Sequence, residues 1–115
     1  MSELINRWFG RASRLPGALA YGLRYSNSKV YSHTWEARLS EAVLNDLWNR
    51  LAPMISVTQP NGTPEFLRWT FNGAIIFGTT RHDGSMFFVL SPKKSDEANA
   101  KELDRLLSEF RALRA

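Results

Sequence analysis

Cysteine is absent from the 115-residue sequence. Its absence excludes a disulfide framework, thiolate zinc sites, iron–sulfur clusters and a cysteine nucleophile. Histidine is nearly absent too: only His33 and His82 occur, and neither has neighbours at metal-ligand spacing. None of the HExxH, GxSxG or Walker A patterns is found. Glu36 follows His33 by three residues and Asp83 adjoins His82, but a His–acid neighbourhood without a positioned substrate atom is common on surfaces and does not make a general base. Adjacent carboxylates occur only as Asp96-Glu97, which helix capping explains. No catalytic, cofactor-binding or metal-binding residue is assigned, no cofactor is expected, and the chain is read as a non-enzyme.

Long apolar runs are also missing. No stretch approaches the roughly 20 residues needed to cross a bilayer, so no membrane insertion is expected. The opening MSELINRWFGRASR breaks its apolar residues with polar ones and is not a signal-peptide core. A reduced, cytoplasmic setting follows as the expectation, and Asn61-Gly62-Thr63 then reads as a turn instead of a glycosylation site.

Dense basic runs are lacking as well, although the chain carries 15 Lys+Arg against 11 Asp+Glu, a net +4. Residues 1–38 hold six bases and two acids, residues 39–64 one and two, and residues 65–115 eight and seven. The excess therefore lies in the first third, on Arg7, Arg11, Arg14, Arg24, Lys29 and Arg38. Scattered bases of this kind argue against a nucleic-acid partner, which calls for a clustered stripe.

What is present is patterned. Ser2–Arg14 spaces Leu4, Ile5, Trp8, Ala12 and Leu15 as a helix, with Arg7, Arg11 and Arg14 on another face, a possible partner surface. Pro16-Gly17 ends it. From Ala18 the period becomes two: Leu19, Tyr21, Leu23 and Tyr25 alternate with Ala18, Ala20 and Gly22, a strand with one bulky face. Ser26-Asn27-Ser28 turns the chain into a polar second strand, Lys29–Trp35. Ser40 caps a second helix, with Leu39 and Leu44 placed to staple across the cap. Its stripe is Val43, Leu44, Leu47, Trp48, Leu51, Met54 and Ile55, and Pro53 either stops it near Leu51 or is carried within it toward Val57. Three strands follow: Phe66–Phe71, then Ala74–Arg81 across Asn72-Gly73, then Ser85–Ser91 across His82-Asp83-Gly84, where Gly84 supplies a positive φ. Ser95 opens a last helix striped by Leu103, Leu106, Leu107, Phe110 and Leu113.

Ile75-Ile76-Phe77 and Met86–Leu90 are apolar on both faces, and such strands must be covered on both sides. The expected fold is α+β over residues 1–115, in the order α-β-β-α-β-β-β-α: a five-stranded antiparallel sheet with helices on both faces. Strand three (Phe66, Leu67, Trp69, Phe71) has one obvious neighbour, strand four. An apolar edge of that kind is a hazard that a second copy removes by pairing with it. The four tryptophans are read as packing and interface groups, with Trp48 and Trp69 beside that edge.

This element order, the Leu15-Pro16-Gly17 turn into a small-residue strand, the long middle helix and Asn99 near the start of the last helix resemble the roadblock / dynein light-chain family. The resemblance implies a profilin-like sheet with one helix on one face and two on the other. It further implies a homodimer formed by the middle helix and third strand, here Leu47, Trp48 and Leu51 with Leu67, Trp69 and Phe71. The function it implies is a scaffold or regulator of a small Ras-like GTPase or signalling complex. A secretion-chaperone-like or other profilin-like domain that binds a peptide segment is the alternative, and a basic nucleic-acid binder the third reading.

Overall fold

The computed structural model describes residues 3–12, 18–25, 27–35, 39–57, 67–71, 74–81, 84–92 and 98–113. Along the chain lie α1 (Glu3–Arg11), β1 (Ala20–Arg24), β2 (Val30–Thr34), α2 (Glu41–Val57), β3 (Leu67–Phe71), β4 (Ala74–Thr80), β5 (Met86–Pro92) and α3 (Ala98–Ala112). The strands form one antiparallel sheet in the order β2-β1-β5-β4-β3. Its centre, β5, is the last strand in sequence, and β2 and β3 are its edges.

Two hairpins share one loop design. Tyr25 N–H donates to the Lys29 carbonyl at 2.9 Å and Ser28 N–H to the Tyr25 carbonyl at 3.0 Å. Likewise, Arg81 N–H donates to the Ser85 carbonyl at 2.8 Å and Gly84 N–H to the Arg81 carbonyl at 3.0 Å. The last loop residue has positive φ in both, 90° at Gly84 and 72° at Ser28. Glycine takes that conformation without penalty, whereas serine brings its Cβ into it. Local hydrogen bonds offset part of the strain at Ser28. Its Oγ accepts from Arg24 Nη2 at 3.0 Å, and Lys29 N–H donates to Asn27 Oδ1 at 3.1 Å.

At the start of α2, Ser40 Oγ accepts from Val43 N–H at 3.2 Å, and Leu39 packs against the cluster that holds Leu44. The cap is thus in place. The helix runs through Pro53 to Val57. Pro53 and Asn49, whose carbonyl the missing proline N–H would have bonded, are both exposed, so water can solvate that carbonyl.

The sheet divides two apolar clusters. Ile5 and Phe9 of α1 and Leu106, Leu107 and Phe110 of α3 pack on Tyr21, Leu23, Phe87 and Val89. On the opposite face Leu44, Trp48 and Leu51 of α2 pack on Ala20, Ile76, Met86, Phe88 and Leu90. Alternate residues of β5 thus serve different helices, which is why that strand is apolar throughout.

The fold expected from sequence is corrected in the extent of its elements and in one face assignment. The first helix ends at Arg11, where Ala12 N–H donates to the Phe9 carbonyl at 3.4 Å in a tightened last turn, and residues 13 and 14 of its expected span to Arg14 lie outside the described residues. The first strand begins at Ala20, not Ala18, and the strict alternation fails before it. Ala18 joins the α1/α3 cluster, while Leu19 packs with Ala20 on the α2 side. Pro92 lies inside β5, opposite Ala74, where a missing N–H at the strand end is tolerated. The caps assigned to Ser2 and Ser95, and the turn at His82-Asp83, fall outside the described residues.

Candidate functional site

Two rows of side chains run along α2. Leu44, Trp48 and Leu51 form the inner row and are buried. The Trp48 indole stacks on Phe88 with centroids 5.0 Å apart and 9° between planes. Its Nε1 donates to Ser32 Oγ at 2.9 Å, and that hydroxyl donates onward to Asn45 Oδ1 at 2.5 Å. Beneath the indole lies Gly22, which pairs with Phe88 on one side and Ser32 on the other. Trp48 is therefore the centre of the α2-side core, completely shielded within one chain.

The outer row holds Val43 and Leu47. Val43 is 61% exposed and Leu47 is half-buried. With Leu19, Leu39, Ala74 and Leu90 they line an open apolar groove of about 370 Å³. Exposed Asp46 and Arg50, joined by a 2.8 Å ion pair one helical turn apart, form its charged rim. Ala74 also pairs with Phe71 at the end of β3, so the groove adjoins the edge strand. An open apolar surface next to the edge strand of a sheet is suited to binding protein.

Of the interface residues that the family resemblance implies, Leu47 lines the groove, whereas Trp48 and Leu51 are buried. Leu67, Trp69 and Phe71 lie on β3, opposite Gly78, Ile76 and Ala74. Val43 escaped that grouping, although it sits four residues before Leu47 on the same helical row. Arg7 and Arg11 are exposed on α1, and Arg14 lies outside the described residues. Arg7 and Arg11 are not brought to the groove, since α1 packs on the opposite face of the sheet.

A smaller polar cleft of about 170 Å³ separates α1 from α3, lined by Trp8, Arg11, Arg105 and Glu109 among others. Two of its three charged side chains, Arg105 and Glu109, are paired with each other. Arg105 pairs with Glu102 at 2.9 Å and with Glu109, and hydrogen bonding to Glu102 with the nearby carboxylate charges raises its pKa above the ordinary value. The exposed His33 ring stacks on Trp35 with centroids 4.5 Å apart, and its neighbour Glu36 lies outside the described residues. Among the described residues no cluster of three or more metal-ligating side chains occurs, and no helix is long and apolar enough to cross a membrane.

One helix on one face of an antiparallel sheet, two on the other and a groove at the sheet edge define a class of small α+β domains. No protein-family model matches the sequence, nor does any curated protein. Among solved structures the chain is similar to the crystal structure of a Roadblock/LC7 domain from Streptomyces avermitilis, at 17% identity with a TM-score of 0.57. The match covers 89% of this chain and 86% of that one. The chain therefore has a roadblock-like fold.

Proposed function

We propose that this chain is a non-enzymatic protein-interaction module that works as a homodimer. In this reading the outer row of α2 and the edge of β3 meet their counterparts in a second copy. The dimer then regulates or scaffolds a small Ras-like GTPase or a signalling complex in the cytoplasm. One observation carries the reading: a 370 Å³ apolar groove, with Val43 61% exposed, adjoins an edge strand. Burying such a surface against a second copy removes both the apolar exposure and the unpaired edge. The roadblock-like fold supports the module class, and the resemblance of sequence pattern supports the GTPase.

Sedimentation velocity across micromolar concentrations tests the dimer. Wild type should sediment as a dimer, and Val43→Glu, which sets a charge in the groove without touching the core, as a monomer. A wild-type monomer throughout that range would sink the homodimer. The partner is tested by capture of Ras-like GTPases on the immobilised protein, with either bound nucleotide. Nucleotide-dependent retention is expected, and absence of any GTPase from the bound fraction refutes that part of the reading.

A further inference from the structure

We propose that the Asp46–Arg50 ion pair is exchanged between protomers when a second copy of this chain fills the groove, so that charge order along α2 selects the partner. This inference rests on the homodimer reading above. Both residues line the groove, both are well exposed, and their opposite charges stand one turn apart. In a two-fold contact the same patch meets itself, so a patch must carry its own complement. Two α2 helices crossing antiparallel, with the axis level with Trp48, set Asp46 opposite the partner subunit's Arg50 and Arg50 opposite the partner subunit's Asp46. Exposed Val43 and exposed Pro53 stand equally far above and below that level. Each therefore meets the other's counterpart, an isopropyl group against a proline ring. A parallel crossing would instead oppose like charges, which disfavours it.

Charge complementarity is what points to a second copy as the occupant. The rim offers one acid and one base in an order that an antiparallel copy of itself matches in register. Within one chain the exposed pair contributes little, because water screens it. Across an interface that excludes water the same charges discriminate between partners more strongly.

The test uses Asp46→Arg and Arg50→Asp, separately and mixed, read by sedimentation velocity and native mass spectrometry. Both positions are exposed, and circular dichroism checks that each variant keeps the wild-type fold. Each variant alone sets like charges against each other twice across the axis and should self-associate roughly 10–100-fold more weakly than wild type. The mixture restores both opposite-charge contacts, and heterodimer should exceed its statistical share. The double variant D46R/R50D should self-associate like wild type. If each single variant dimerises as tightly as wild type and the mixture is statistical, the exchange is overturned, while a dimer disrupted by Val43→Glu keeps the homodimer reading. A wild type that stays monomeric overturns both.

Discussion

Replacing Gly22 with alanine puts a methyl group where the Trp48 indole lies. A Cβ built on Gly22 falls well inside contact distance of indole Cε2 and Nε1 and 2.6 Å from Cδ2. The indole cannot swing away freely: it is fully buried, stacked on Phe88 and hydrogen-bonded through Nε1 to Ser32 Oγ at 2.9 Å. Three terms decide the magnitude. Alanine in a strand gains about 0.5–1 kcal/mol over glycine through the unfolded chain. Overpacking a closed core costs about 1–3 kcal/mol. Displacing the indole also weakens its stacking on Phe88, worth about 0.5–1.5 kcal/mol, and its hydrogen bond to Ser32, worth about 1 kcal/mol. The net expectation is a destabilisation of about 2–4 kcal/mol. Urea unfolding at fixed protein concentration, followed by far-ultraviolet circular dichroism, reads it as a lower midpoint with an unchanged slope. A Trp48→Leu background makes the test specific, because there the alanine methyl has room. The double-mutant cycle should return a coupling of at least about 1.5 kcal/mol. If Gly22→Ala unfolds within about 0.5 kcal/mol of wild type, glycine is not required under the indole and the reasoning fails.

Ser28→Gly should stabilise the protein by about 0.5–1 kcal/mol in the same urea assay, since it removes a Cβ from a φ of 72°. Loss of stability there would mean that the hydrogen bond from Arg24 to Ser28 outweighs the strain. Arg81 is buried at the end of β4, where its Nη1 donates to the Phe110 carbonyl at 2.9 Å and its guanidinium lies 5.8 Å from the Phe110 ring centroid. Arg81→Ala should cost about 2–4 kcal/mol by thermal unfolding, because it leaves a space and removes a cation from the last turn of α3. An unchanged midpoint would refute that capping role. Burial, with a smaller contribution from the neighbouring Tyr31, raises the Tyr25 phenol above its ordinary pKa of 10.0. The unfolded chain then loses this proton at lower pH than the folded one, so the stabilisation is complete below about pH 10 and declines as pH rises toward the folded value. Tyr25→Phe should flatten that alkaline decline in stability measured from pH 9 upward. An equally steep decline in the variant would assign it to other groups.

Much of the local architecture was legible because it is encoded over a few residues. Ser40 caps α2, Gly84 takes the positive φ of its loop, and Phe71 pairs with Ala74 across residues 72–73. The candidate site was legible only in part. Helical periodicity identifies a wide apolar stripe on α2 that holds Val43, Leu47, Trp48 and Leu51 but does not divide it into surface and core, and the family resemblance implies Leu47, Trp48 and Leu51 as one interface without separating them by depth. Periodicity reports which residues share an angular sector of a helix. The depth of each within that sector depends on what the sheet presents opposite, and here Gly22 leaves the space that takes Trp48 inward.

The same physical division runs through the whole chain. Composition and local pattern suffice to show that this chain has no cysteine thiol and that its strands are too apolar to leave either face uncovered. Caps and turns follow from local pattern as well, because they depend on neighbours three or four residues apart. Long-range contacts in the folded chain place β5 at the centre of the sheet, pack Leu19 and Ala20 on the same side, and bring Arg81 to the end of α3. Each depends on contacts between residues far apart in the chain, where the free space left by one element sets the place of the next.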